Sequence, residues 1–281
     1  MPRTKKSERR PDPNDVIERI RRHLEILDLA QIAERLDEHL SWAARERPTP
    51  ADLLDRVLGE QSAAKLERRI EWRVKISGLR ERKTLEAFDF NFQPKLDRAL
   101  VMDLARLDFV RRQEDLIFTG KSGTGKSHIL QSFALRGCQQ QHSVRYARCV
   151  DLIDDLYAGI ADNTYNKRLR RWASAELLVI DDVGLGQIKK RDDEPTAAHM
   201  LFNLLDQRHA RASTAITSNI KLSAWGKYLG DASLAVAILD RFAGRAIHID
   251  IDGPSYRAQQ GRERAKEKGT KAPGEDESDS E

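Results

Sequence analysis

A chain of 281 residues, 33% charged and 40% apolar, can fill one sizeable core and a smaller module, and it contains no apolar run near the roughly 18 residues a membrane span requires. Its first residues, "MPRTKKSERRPDP", are basic without the apolar stretch and cleavage site of a signal peptide, so a cytoplasmic protein without a membrane partner is expected. The net charge of +4 leans towards nucleic acid, and because the acidic "EDESDSE" closes the chain, the remainder is more cationic than that total. Cys138 and Cys149 lack ligand-like spacing and read as reduced thiols.

Residues 1–14 read as a basic, disordered start. Val16, Ile20, Leu24 and Leu27, then Ile32, Leu36 and Leu40, recur at helical spacing and predict an amphipathic helix broken once. In "RPTPAD" Thr49 is a cap, Pro50 fits the first helical position and Asp52 suits the positive helix end, so a second helix begins there. A third carries Leu66, Ile70 and Val74 on one side and Lys65, Arg68, Arg69, Arg73 and Lys75 on the others, with Arg80, Arg82 and Lys83 continuing the positive run. Residues 15–83 are therefore expected to form a small all-α domain.

"TLEAFDFNFQP" changes the pattern. Phe88, Phe90 and Phe92 alternate as in an extended segment ahead of Pro94, which places a domain boundary at Thr84. From there apolar strands alternate with helices: "DLIFTG", a helix from Lys126, "SVRYARC", a helix from Val150, "ELLVIDD", a helix from Thr196, "TAITSN", further helices to Phe242, and "AIHIDI". The alternation predicts an α/β domain over 84–260, a parallel sheet flanked by helices on both faces. Residues 261–281 read as a charged, disordered tail.

Gly120, Gly125, Lys126 and Ser127 satisfy G-x-x-x-x-G-K-[ST] between a strand and a helix, the context in which backbone N–H groups and a helix N-terminus cradle phosphates. The stretch Gly120, Lys121, Ser122, Gly123, Thr124, Gly125, Lys126, Ser127 and His128 is thus a candidate P-loop for ATP. Lys126 would neutralise β and γ phosphate charge, and Ser127 would ligate Mg²⁺. Asp181 ends an apolar strand where it can hold the metal, and Asp182 can polarise an attacking water. Asn219, at the polar end of "TAITSN", can orient that water, and Thr217 can share the task; an Asn after a strand also serves as an ordinary turn residue.

The set "GKSGTGKS", "LLVIDDVG", "TSN", "ILDR" and "GPSYR", in this order, resembles the IstB-like helper ATPases of insertion-sequence transposition, relatives of the DnaC helicase loader within the AAA+ superfamily. The resemblance spans about Thr84 to Arg257, "LEAFDFNFQP" included. It implies a homo-oligomeric AAA+ ATPase that assembles on DNA, holds nucleotide between subunits and serves a partner transposase. It also implies roles for two arginines. Arg241, in "ILDR", matches the finger that completes a neighbour's site, with Arg245 the nearest substitute; the alternative for Arg241 is a surface pair with Asp240. Arg257, in "GPSYR", matches a second sensor of the γ phosphate. The wider superfamily has Asp-Glu where this chain has Asp181 and Asp182, and the shorter second carboxylate suggests slow hydrolysis.

Three basic clusters are candidates for sequence-independent DNA contact: Arg68, Arg69 and Arg73; Lys167, Arg168, Arg170 and Arg171; and Lys189, Lys190 and Arg191. Each can equally be a solvated face. Rival readings within the same fold are a helicase loader and a nucleotide-gated DNA-binding adaptor with little turnover. A P-loop kinase leaves "SYR" and "ILDR" unexplained.

Overall fold

The structure is a computed structural model that describes residues 13–186, 188 and 196–269. Contacts divide the chain into two units at Trp72/Arg73, ahead of the boundary expected at Thr84.

In the first unit α1 (Pro13–Ile26) and α2 (Ala30–Glu46) are separated by a turn at Asp28, whose φ is +54°. Leu24, Ile32 and Leu36 are buried, with Ile17, Ile20 and Leu40 packed against them, so the 3.6-residue spacing of the sequence marks the inward stripe. At the start of α3 (Pro50–Ser77) the Thr49 Oγ1 accepts from the Asp52 N–H at 3.2 Å and the Asp52 carboxylate accepts from the Thr49 N–H at 3.2 Å, a reciprocal cap. The second and third helices expected from sequence are one continuous α3. The weakest helix former between them, Gly59, costs about 1 kcal/mol, too little to break a helix of 28 residues.

The second unit begins within the last turns of α3. After it, "TLEAFDFNFQP" is not extended but a chain of turns: the N–H of Phe88 donates to Leu85 O and that of Gln93 to Phe90 O, each at 3.1 Å. The Asp89 carboxylate accepts from the N–H groups of Asn91 and Phe92, and such local acceptors divert backbone from strand pairing. Then follow α4 (Arg98–Leu104), α5 (Asp108–Arg111), β1 (Asp115–Gly120), α6 (Lys126–Gln139), β2 (Val144–Arg148), α7 (Cys149–Ala161), α8 (Tyr165–Ala173), β3 (Leu177–Val183), α9 (Ala197–Arg208), β4 (Ser213–Ser218), α10 (Trp225–Leu229), α11 (Ala232–Phe242), β5 (Ala246–Ile251) and α12 (Tyr256–Gly269). The last helix extends into the segment expected to be a disordered tail from residue 261.

The strands form one parallel sheet in the order β2-β3-β4-β1-β5. Leu177, Leu178, Val179 and Ile180 of β3 are fully buried, as an unbroken apolar run between two helical layers demands. β4 lies between β1 and β3, which sets "TSN" between the glycine-rich loop and the paired aspartates. All five strands expected from sequence are present, in the parallel arrangement expected.

At the opposite end of the sheet Arg208, 1% exposed, donates to the carbonyls of Trp172, Ala173, Ala175 and Ser213 and to Thr214 Oγ1. Burial pushes this guanidinium down to about 10, with the charge of Asp115 opposing. Asp115 accepts from the Thr214 N–H at 2.6 Å, and burial raises its carboxyl from 3.8 to about 6. A carboxyl that binds its proton more tightly in the folded state stabilises the fold below about pH 4 and loses that contribution as pH rises through 6. A carboxyl raised this far above its unfolded value contributes about 3 kcal/mol in its protonated form. Asp115→Asn should therefore change the pH profile: the stability difference between wild type and variant, read from urea unfolding at pH 4 and pH 7, should move by about 2 kcal/mol in favour of the variant. Parallel profiles would show that Asp115 is not held in this environment.

Candidate nucleotide site

β1 runs into the loop 121–125 and out into α6, so the N-terminus of that helix opens onto a cleft of about 420 Å³. Gly125 has φ +99° and a Cβ there would lie 2.5 Å from the Phe88 ring; Gly123 has φ +84° and a Cβ would lie 2.1 Å from Ser255 Oγ. Both positions thus need glycine for backbone conformation and for the close approach of the flanking segments. Thr124 Oγ1 donates to Lys121 O at 2.9 Å, and the Tyr256 N–H donates to Gly123 O at 2.9 Å, pinning the loop to the start of α12.

Lys126 is 3% exposed, and its ammonium donates to the carbonyls of Gly120 and Lys121 at 2.7 and 2.8 Å. Burial depresses this amine to about 8, against the opposing pull of Asp182 and Asp181. Ser127 Oγ donates to Asp181 Oδ1 at 2.8 Å. Asp181, 2% exposed, also accepts from Thr217 Oγ1 and, on Oδ2, from the Tyr146 hydroxyl, which itself accepts from Gln131 Nε2 at 3.1 Å. Burial, together with the Asp181 charge, raises the Tyr146 phenol and keeps it a proton donor.

Asp182 sits where the pairing of β3 and β4 shifts register between Ile180 and Val183, with φ +61°. That bulge breaks the alternation of the strand and brings a second carboxylate to the cleft. The Asp182 N–H donates to Thr217 Oγ1 at 2.8 Å, and Asn219 Nδ2 donates to Asp182 Oδ1 at 3.0 Å. Ser127, Asp181, Thr217, Asp182 and Asn219 are thus one connected hydrogen-bonded group that joins the start of α6 to the C-terminal ends of β3 and β4, with the Lys126 ammonium beside it on the loop carbonyls.

Arg257 lines the same cleft from the first turn of α12, as does His128, whose Nε2 lies 2.8 Å from Thr84 O. Lys121 is exposed at the loop. Arg241 does not line the cleft. Its Nε donates to Asp206 at 2.9 Å and its guanidinium lies 5.4 Å from the Phe202 ring centre, so its partner is Asp206 and not the adjacent Asp240. Arg245 donates to Gln113 O.

Among the basic clusters, Arg68 and Arg69 are exposed on α3 and Lys167 and Arg170 on α8. Arg168 is ion-paired with Asp155 and Asp162, and Arg171 with Asp155. Arg73 is half-buried and donates to His142 O at 3.0 Å. Lys189, Lys190 and Arg191 lie outside the described residues. No linear motif points to Tyr146 or Gln131, although a tyrosine in a buried strand must find a partner for its hydroxyl. The same holds for the wall made by Phe88, Phe92 and Tyr256: Phe92 and Tyr256 meet edge to face at 5.2 Å, and Phe88 meets the His128 ring at 5.3 Å.

A glycine-rich loop feeding a helix, paired carboxylates two strands away and a polar strand end inserted between them define a nucleotide-binding protein of the P-loop class. The chain belongs to the IstB-like ATP binding protein family, which matches residues 22–264. It is 31% identical over 235 residues to the putative ATP-binding protein of insertion sequence IS232 from Bacillus thuringiensis subsp. berliner, covering 84% of this chain and 92% of the relative. It is 32% identical over 236 residues to the corresponding IS21 protein of Pseudomonas aeruginosa, covering 84% and 87%. In fold it is similar to AMPPCP-bound DnaA from Aquifex aeolicus, with a TM-score of 0.51 at 21% identity over 68% of this chain and 56% of that one. It is likewise similar to DnaI, with a TM-score of 0.50 at 21% identity, 61% and 92% covered. Among the described residues no helix is long and apolar enough to cross a membrane.

Proposed function

We propose that the protein hydrolyses ATP, assembles on DNA as a homo-oligomer in its ATP-bound form and serves a transposase encoded with it in an insertion sequence. The observation that carries the hydrolytic part is the Asn219–Asp182 hydrogen bond of 3.0 Å beside the glycine-rich loop. It fixes one carboxylate oxygen, and among the described residues nothing donates to the other, which is free to accept a proton from an attacking water. Asn219 then holds Asp182 and orients the water, while Lys126 leaves its two loop carbonyls for the β and γ phosphates. The aromatic wall of Phe88, Phe92 and Tyr256 suits a purine ring.

The oxygen donors Ser127 Oγ and Asp181, 2.8 Å apart, are the hard ligands that Mg²⁺ takes together with phosphates and waters, and they would hold it. The ion supplies neutralisation of phosphate charge. Tyr146 and Thr217 orient the Asp181 carboxylate for that role. Support for the insertion-sequence setting comes from relatives that share most of their length with this chain.

Asp182→Asn tests the chemistry. The variant should bind ATP as tightly as wild type and turn it over about 10²–10⁴-fold more slowly, in assays with and without duplex DNA. Unchanged turnover would remove Asp182 from the reaction, and a wild type with no measurable turnover would favour the nucleotide-gated adaptor.

A further inference from the structure

Three arginines from separate parts of the second unit converge away from the nucleotide cleft. Arg73 from α3, Arg145 from β2 and Arg171 from α8 line one small pocket with Ser143, Ser174 and an apolar wall that includes Val144. The pocket lies by the N-terminal ends of β2 and β3, whereas the glycine-rich loop and Asp181 lie at C-terminal strand ends, so a group bound here is not a phosphate of the ATP in the cleft. Its volume is about 90 Å³, several times the ~10–15 Å³ one water needs.

The guanidiniums are only partly compensated. Arg73 places one nitrogen on His142 O, but its Nε is buried and has no hydrogen-bond partner among the described residues. Arg145 donates to Ile76 O, a carbonyl in the last turn of α3. Arg171 donates to Asp155 at 2.8 Å, a carboxylate it shares with Arg168. Burial lowers the pKa of Arg145, and the charge of Arg171 lowers it further, the signature of like charges held together. The nearby Glu176 is occupied by His142 and by the N–H and hydroxyl of Ser143. An unpartnered buried guanidinium N–H is a donor that an anion in the pocket would satisfy.

We propose that Arg73, Arg145 and Arg171 form a phosphate-binding pocket that takes one phosphodiester of a nucleic-acid backbone, a site that rests on the DNA-binding reading above. The neighbouring surface extends the charge beyond a single phosphate. Lys167, Arg170 and Arg171 share one face of α8 at i, i+3 and i+4, and the exposed Lys75 follows Arg73 on α3. Planar guanidiniums at the pocket anchor the strand at one point, while the flexible cations beside it follow the backbone without reading bases.

The test uses the full chain with a labelled duplex of about 30 base pairs, followed by anisotropy from about 50 to 200 mM salt. Arg73→Ala with Arg171→Ala should weaken binding at least tenfold and flatten the slope of log K against log salt by one to two. ATP affinity should stay at the wild-type value, which certifies the fold. Arg73→Lys should keep the salt slope while losing part of the affinity. Wild-type affinity and slope in the double variant would overturn the pocket and leave the DNA-binding reading intact; a wild type that fails to bind the duplex would overturn both. Inorganic phosphate that raises the melting temperature of wild type but not of the double variant, with duplex binding unaltered, would overturn it in favour of a free-phosphate site.

Discussion

Lys126→Ala is expected to abolish ATP binding, with isothermal titration showing no heat at nucleotide concentrations that saturate wild type. Its ammonium is buried at the mouth of the helix α6 and held by the carbonyls of Gly120 and Lys121, so it is already desolvated and placed before a phosphate arrives. That pre-placement has a measurable signature, because burial holds the amine at about 8 in the free protein. The charged form is the one a triphosphate binds, and the triphosphate raises the amine's pKa in turn. Above pH 8 binding must therefore take up a proton, and affinity should fall by up to about tenfold per pH unit. Calorimetry at about pH 8.5 in two buffers of different ionisation heat should show uptake of more than half a proton. Lys126→Arg cannot titrate in this range, so any affinity it keeps should lack the pH dependence. A wild-type affinity flat from about pH 7 to 9.5 would show that Lys126 is not buried as described.

Much of this site is legible in the linear sequence because its parts sit at strand ends. "LLVIDD" combines a run that only a two-sided sheet can bury with carboxylates at its close, and "DLIFTG" leads directly into its glycines. Strand order decides what these motifs can do together, and the spacing of residues along the chain does not contain it. The pairing of β4 with both β1 and β3 converts an ordinary "TSN" into the bridge between loop and aspartates. Likewise, the register shift that turns Asp182 into the cleft is a property of two strands; one strand read alone would alternate Asp181 and Asp182 to opposite faces.

Other features depart from the sequence pattern for identifiable reasons. Phe88, Phe90 and Phe92 alternate as a strand would, yet Asp89 supplies a carboxylate to the backbone two and three residues on, and the segment curls over Gly125. Gly59 lies inside α3, where length outweighs one poor helix former. A pair between Arg241 and Asp240 fails because successive helical residues point apart; the actual partner, Asp206, comes from α9. The arginine pocket is invisible in one dimension, since Arg73, Arg145 and Arg171 are separated by whole helices and strands.

Arg241→Ala should leave ATP affinity unchanged and lower DNA-stimulated hydrolysis by about 10³-fold or more, the range of arginine fingers supplied by a neighbour. Within its own chain Arg241 contributes little: the Asp206 pair is more than a third exposed on both sides, and such pairs add at most about 1 kcal/mol. Nor does it reach its own cleft, so a direct contribution to the chemistry would have to come through another subunit. Mixing separates that explanation from damage to the fold. Arg241→Ala protein has an intact cleft, and Asp182→Asn protein has an intact Arg241; each alone should be nearly silent. When the two are combined on DNA, a cleft from the first can meet an arginine from the second, and turnover should recover to a sizeable fraction of the wild-type rate. Normal turnover by Arg241→Ala alone would refute the finger, and a silent mixture would show that the arginine acts within its own chain, through the packing of α9 against α11.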